Sequence, residues 1–288
     1  MIQCFAEKDF LISFVDDKRP QLLSASKIDE GYMVHPRILH KHEDCLEILL
    51  VRSGSGVYIL DEKQYAIEKG DLIICNQGVL HDEAPEKSNK LNIYGCAVGN
   101  VHLTGLPANC LVRPRNYPIV KTAEMFDVVK DLMSTIYFLL AANKEISTEA
   151  CSYMTMGLVS LVAKIIERRK PDERFDTQDM DGLQILRIKQ YINANYDEAL
   201  TLKRLGEALH LSPYYLAHVF KDKTGYSPAQ YIMRRRLGEA QTMLISTDYS
   251  ITKIANIVGY GNPNHFDVLF TKYVGMSPSK YRKTYVQK

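Results

Sequence analysis

The chain has 288 residues, enough for two domains with their own cores, and a net charge of only +2. That balance conceals an asymmetry: from Leu183 onward there are 15 Lys+Arg against 7 Asp+Glu, and before it 21 against 27, so a basic C-terminal third follows an acidic remainder. The opening MIQCFAEKDFLISF has no positive segment followed by a long apolar run, and no later stretch reaches about 18 apolar residues, which excludes secretory and membrane-spanning readings and predicts a cytoplasmic protein.

Cys4, Cys45, Cys75, Cys96, Cys110 and Cys151 form no CxxC pair, so reduced thiols are expected rather than a disulfide framework or a zinc ribbon. From Phe10 to about Leu111 the chain reads as short strands, FLISF, LEILLV, GVYIL, KQYAI, DLIIC and LNIYGCAV, separated by Gly, Asp and Asn turns. Many short strands at close spacing predict a sandwich or barrel. HKHEDCLEILLVRSG resembles the first motif of the cupin barrels, with His40, His42, Glu47 and Gly54; GDLIICNQGVLH resembles the second, with Gly70, Gly78 and His81. Asn76 stands where the second motif has proline, and Pro85 where it ends in asparagine.

Imidazoles at i and i+2 on a strand share a face. His40, His42, Glu47 and His81 are therefore expected to converge, and three histidines with a carboxylate are donors suited to Fe, Mn, Ni or Zn. The altered second motif and the resemblance to sensory barrels tip the expectation toward an effector pocket of His40, His42, Glu47, Tyr58 and His81 with no metal and no cofactor.

Two amphipathic helices are predicted next. Over Ala123 to Asn143, Phe126, Val129, Met133, Ile136 and Leu140 recur at three or four residues; over Thr148 to Arg169 the stripe is Met154, Leu158, Leu161 and Ile165. Packing under the barrel is one reading for both helices, and a homodimer interface on one of them is the other. Lys170 to Gly182 (KPDERFDTQDMDG) is polar and contains proline, so it reads as a linker. The domains are thus 1–169, linker 170–182, and 183–288, the last opening with a helix over Leu183 to Tyr196.

From Thr201 to Tyr285 one unit occurs twice, about 50 residues apart, with one residue inserted in the second turn. Leu202, Leu205, Ala208 and Leu209 pair with Ile251, Ile254, Ile257 and Val258; Leu216, Val219 and Phe220 pair with Phe266, Leu269 and Phe270. Ser212-Pro213 and Asn262-Pro263 restart a helix after each turn, a cap followed by proline at the first helical position. Each second helix stops at Gly225 or Gly275, suited to a left-handed cap. These are two helix-turn-helix units. At 100° per residue the first second-helix presents Tyr214, His218 and Lys221, flanked by Tyr215 and Ala217. The other presents Asn264, Val268 and Thr271, flanked by His265, Asp267 and Lys272. Between the copies Ser227 to Ile245 reads as a linking helix of roughly 28 Å, close to the ~34 Å between successive major grooves on one face of DNA. Arg234 and Arg235 are expected to reach phosphate, and Arg236 to lie in the apolar stripe.

The doubled unit, the linking run RLGEAQTML and the ending GYGNPNHFDVLFTKYVGMSPSKYR resemble the DNA-binding domain of the AraC/XylS family of bacterial transcription regulators. The resemblance implies an α+β chain: a cupin-like effector-binding and dimerisation barrel with two following helices, then an all-α domain that binds double-stranded promoter DNA. It also implies that the chain is not an enzyme, that its effector is a small molecule such as a sugar or related metabolite, and that an activator of this kind also contacts RNA polymerase. A metal-dependent cupin enzyme with the same module and a protein-responsive regulator are the competing readings.

Overall fold

The computed structural model describes residues 3, 14–15, 18–29, 38–61, 63–83, 89–113, 116–169 and 180–285. Among the described residues, seven antiparallel strands form the sheet of the N-terminal domain: β1 (Gln21–Ile28), β2 (Cys45–Leu60), β3 (Lys63–Glu68), β4 (Asp71–Cys75), β5 (His81–Glu83), β6 (Asn89–Gly99) and β7 (Ile119–Lys121). Their order is β1-β6-β2-β4-β7, with β3 and β5 both pairing the far half of β2. LEILLV and GVYIL, expected as two strands, are one strand of 16 residues. The glycine that suggested a turn, Gly54 at φ 81°, instead bends β2 where its register with β6 shifts. Of FLISF only Phe14 lies within the described residues, bridged to Leu103.

Alternation along β2 divides the barrel into two cores. Leu46, Ile48 and Leu50 face outward onto α1 (Phe126–Ala142) and α2 (Lys144–Glu167), where they meet Val129, Met133, Ile136, Leu158 and Val162. Leu49 and Val51 face inward with Tyr58, Leu60, Ile67, Ile73, Cys75, Leu91, Ile93 and Ile119, so the barrel interior is packed with side chains. The second helix was expected at Thr148 but starts at Lys144, because Asn143 is extended and its side chain accepts from the Ile146 N–H, capping the helix four residues early. α2 is long and apolar enough to pass a composition test for a membrane span. Its Cys151, Leu158, Val159 and Val162 are, however, committed to the barrel and α1.

The C-terminal domain holds α3 (Met180–Asn195), α4 (Leu202–Leu209), α5 (Pro213–Thr224), α6 (Pro228–Ser246), α7 (Ile251–Ile257), α8 (Pro263–Val274) and α9 (Pro278–Tyr285). α3 takes in the last residues expected to be linker; 170–179 lie outside the described residues. The repeat is visible in the caps. Thr201 and Ser250 cap the first helix of each unit, Ser212 and Asn262 the second, and Gly225 and Gly275 close the second at φ 78° and 85°. Ser227 forms a capping box with Gln230 at the start of α6. Leu205, Leu216, Phe220, Leu237, Ile254, Phe266 and Phe270 make the core, and Ile38, Leu39 and Leu80 of the barrel domain belong to the same cluster.

The two units differ at one close approach. In the first, the Leu211 N–H donates to Gly206 O at 2.9 Å, and a Cβ on Gly206 would sit 2.6 Å from Leu211 O. The second unit carries Ala255 there and a turn one residue longer. Gly206→Ala should therefore cost ~1 to 3 kcal/mol through overpacking, measured by urea denaturation; a neutral or stabilising result would mean that the turn shifts freely.

Candidate functional site

Two surfaces carry chemistry. The first is made by α5 and α8. A side-chain cap restarts each of these helices, and the apolar stripe of each is buried in the core, so the opposite face is exposed. Tyr214, Tyr215, His218 and Lys221 are exposed on α5 with Ala217 half-buried, and Asn264, His265, Asp267, Val268, Thr271 and Lys272 are exposed on α8. Tyr214 is 75% exposed and Val268 64%, large side chains that nothing in the fold requires to be outside. Tyr214 and His218 lie with ring centroids 4.3 Å apart, a paired aromatic surface one turn long. The Tyr215 hydroxyl donates to Gln184 Oε1 on α3 at 3.0 Å, which holds it at the flank. His265 sits edge-on to Tyr260 at 5.9 Å.

The arginine run of α6 departs from expectation. Arg235 is 1% exposed, pairs with Glu239 at 2.9 Å and lies over the Tyr196 ring. Arg234 pairs with Asp82 of β5 and stacks on Tyr226. Neither is presented to phosphate: Asp82 of the barrel domain holds Arg234, and Glu239 and Tyr196 of the helical domain itself hold Arg235. Arg236 lies in the apolar stripe as read, and serves as a staple. Its guanidinium donates to Tyr196 O at 2.6 Å, Glu198 O at 2.6 Å and Gly259 O at 2.9 Å, closing the ends of α3 and α7. Arg282, which no sequence pattern singled out, does the same for the end of α6 through Leu244 O, Thr247 O and Tyr249 O.

The second surface is at the barrel mouth. His40 and His81 belong to a pair of antiparallel bridged residues, their backbones exchanging N–H···O bonds of 3.0 and 2.9 Å. Gly78, at φ 79°, turns the chain so that its N–H donates to His42 O at 2.8 Å, and Glu47 projects from β2 opposite Cys75. The ligand atoms of His40, His42, Glu47 and His81 all lie within 4.8 Å of one another. Tyr58 stacks at 6.3 Å on His81, so the structure gathers all five residues read from sequence as an effector site. Asn76 earns its place differently: its side chain accepts from Leu111 N–H at 3.0 Å and donates to Val112 O at 2.6 Å, tying β4 to the 101–112 loop. Pro85 lies outside the described residues.

The polarity of the cluster is informative. His40 Nδ1 is 3.0 Å from Ile38 O and His81 Nδ1 is 3.0 Å from Val79 O. A carbonyl only accepts, so each Nδ1 carries the proton and donates, and each buried Nε2 points its lone pair inward when the ring is neutral. His81 Nε2 then meets Glu47 Oε2 at 3.3 Å and His42 Nε2 lies 3.7 Å from it. Burial pushes the Glu47 carboxyl up; with His42 and His81 in their protonated form, their Nε2–H groups donate to it and their charge holds it well below the usual carboxylate range. Facing acceptors call for something between them that donates or is positive: a shared proton, a water or hydroxyl group, or a cation. Backbone-held tautomers of this kind are also how metal-binding imidazoles are oriented. The donor set therefore fits a divalent first-row cation, a better fit than the expectation of a metal-free pocket allowed.

The remaining thiols do not add to this site. Cys45, Cys75, Cys96, Cys110 and Cys151 are buried and in no disulfide, and burial with the Glu47 charge drives the Cys75 thiol well up. Cys4 lies outside the described residues.

Comparison with known proteins finds a family for each of the two domains. A helix-turn-helix domain family matches residues 205–284 and a cupin domain family residues 27–89. The HTH-type transcriptional regulator YdiP of Escherichia coli K12 is 28% identical over 247 residues, covering 85% of this chain and 81% of its own. The HTH-type transcriptional activator RhaR of Mannheimia succiniciproducens is 26% identical over 284 residues, covering 91% and 92%. Among solved structures, the C-terminal domain of AraT, a response regulator from Geobacillus stearothermophilus, is 32% identical, with 92% of that chain and 39% of this one covered at a TM-score of 0.37.

Proposed function

Because the chain belongs to the AraC/XylS family of DNA-binding transcription regulators, we propose that α5 and α8 read promoter DNA under the control of a ligand held at the barrel mouth. The observation that carries the DNA half is the matched pair of exposed helices, Tyr214 to Lys221 and Asn264 to Lys272, on the domain with the positive excess. Lys221 and Lys272 supply phosphate contacts at the ends of these helices, and Tyr214, His218, Asn264 and His265 supply base-edge and stacking groups. The test is retention of genomic fragments by the full chain, followed by titration across ionic strength. Affinity should fall linearly with salt on logarithmic axes as counterions are released; salt-insensitive retention would remove the reading.

The ligand half rests on His40, His42, Glu47 and His81 as the sensing set. A divalent transition cation suits these donors best, since the barrel interior behind them is filled by apolar side chains. Such a cation would be held by the three imidazoles and the carboxylate, and would supply positive charge that satisfies facing acceptors. A hydroxylated metabolite such as a sugar is the second reading, favoured by the number of acceptors and by the Tyr58 ring beside them. Co²⁺ added to the purified chain should produce a visible absorption band at one equivalent that Glu47→Gln abolishes; an unchanged spectrum leaves the metabolite reading. A homodimer through α1 and α2 accompanies this proposal, with Val128, Phe138, Ile146 and Tyr153 as its exposed apolar residues. RNA polymerase is the further partner of an activating form.

A further inference from the structure

A groove of about 1150 Å³ opens on the barrel domain away from the histidine cluster. Asp71, one of its lining residues, begins β4, four residues or about 13 Å from Cys75, the β4 residue that pairs with Glu47. The groove exists because the sheet does not close there. Among the described residues β7 pairs only with β4 and β3 only with β2, so each keeps an unpaired edge, and both strands line the groove. Its floor is apolar: Ile67 of β3 and Ile119 of β7 come from the barrel's interior core, and Met125, Leu161 and Ile165 from the layer between the sheet and the two following helices. These two cores otherwise lie on opposite faces of the sheet, and here residues of both line one space. The volume is slightly above the ~300 to 1,000 Å³ usual for small-molecule clefts.

The charges around this floor are unevenly placed. On the sheet side Lys121 meets both Glu68 at 2.7 Å and Asp71 at 2.8 Å, so its charge is shared between two carboxylates, and Glu124 adds a third. On the α2 side the end of the helix contributes three cations, Lys164, Arg168 and Arg169. Arg169 is anchored, donating to Tyr117 O at 2.7 Å and lying over the Tyr117 ring. Lys164 pairs with Glu167 at 2.7 Å, an exposed contact worth little that another carboxylate can replace. Arg168 is exposed, and its guanidinium is suited to a bidentate grip on a carboxylate. We propose that the groove is a second small-molecule site, one that takes a carboxylic acid with an apolar body. The carboxylate sits on Arg168 and Lys164, and the body runs along Leu161, Ile165, Ile67 and Ile119. A neutral apolar molecule would cover the floor and leave the cations unused; a cationic one would meet Arg168 and Lys164 with like charge. β7 is three residues long, too short an edge to hold an extended peptide in register, so the occupant is a small molecule. The proposal is independent of what the barrel mouth binds.

The test is calorimetric titration of the full chain with octanoate, octanol and octylammonium as probes. Octanoate should bind the wild-type chain about tenfold or more tightly than either of the others, the difference expected of one charge-assisted contact. Two variants separate head from body. Lys164→Gln combined with Arg168→Gln removes two exposed cations and should bring octanoate affinity down to the level of octanol. Ala66→Phe, at an exposed position of β3 that lines the groove, puts a ring into it where a strand tolerates an aromatic residue, and should weaken octanoate and octanol alike. Circular dichroism establishes that each variant is folded. Octanoate binding that is absent from the wild-type chain, or equal in the wild type and both folded variants, would overturn the site. A loss in Ala66→Phe with none in the charge variant would overturn the carboxylate assignment, leaving a cleft for neutral molecules.

Discussion

Arg236→Ala should destabilise the folded chain by about 3 kcal/mol or more, and Arg236→Lys should recover little of it. One guanidinium donates to the Tyr196, Glu198 and Gly259 carbonyls and covers the Tyr260 ring at 5.2 Å, so it fastens α3, α6 and α7 at a single point. Hydrogen bonds from a charged donor are worth roughly 1.5 to 3 kcal/mol each and are not additive. Lysine offers a single ammonium without the planar fork that reaches three carbonyls in fixed directions. Urea denaturation of wild type and both variants, with matched slopes, is the measurement. A loss under about 1 kcal/mol for alanine would show that water replaces the staple.

His218→Ala should weaken binding to a cognate DNA fragment by ~1 to 3 kcal/mol, roughly 5- to 150-fold in Kd, and binding to a scrambled duplex far less. On α5, His218 and Tyr214 form one exposed aromatic pair with Lys221 beyond them. The equivalent face of α8 is weaker. Val268 offers only apolar contact, as to a thymine methyl, and Asp267 repels phosphate unless it accepts from a cytosine amino group. The first unit should therefore dominate sequence readout, with Asn264→Ala altering preference at a site about one helical turn away. Equal losses on both duplexes for His218→Ala would take it out of the base-reading set.

The helix-turn-helix units were legible because everything that defines them is local. Stripe, cap, proline and terminal glycine of each second helix lie within 14 residues, and having two copies cross-checks each position. The ligand cluster was legible for a related reason: His40, His42 and Glu47 are close in sequence, and His81 follows a turn fixed by Gly78. β1 was missed because QLLSASKI lacks clean alternation; it is an edge strand with half-buried and exposed residues on both faces. β2 was split because a bend and a turn use the same glycine. The fate of Arg234 was not readable from the helical domain at all, whereas Arg235 meets Glu239 and Tyr196 within it. Helical periodicity gives the face turned to the domain's own core, but Asp82, which claims Arg234, lies 152 residues earlier in the chain.

The burial of Ile38, Leu39 and Leu80 among the side chains of the helical domain has a consequence for how such a chain can be recombined. The boundary suggested by the polar linker separates the two modules along the sequence, whereas in space the basic module borrows three apolar residues and a carboxylate from its neighbour. A chimaera joined at the linker to the sensor of a relative would inherit a foreign mouth against Gly238, Arg234 and Gln241. Transplanting residues 38–39 and 80–82 along with the helical domain would carry the matching surface, so the portable unit is discontinuous in sequence.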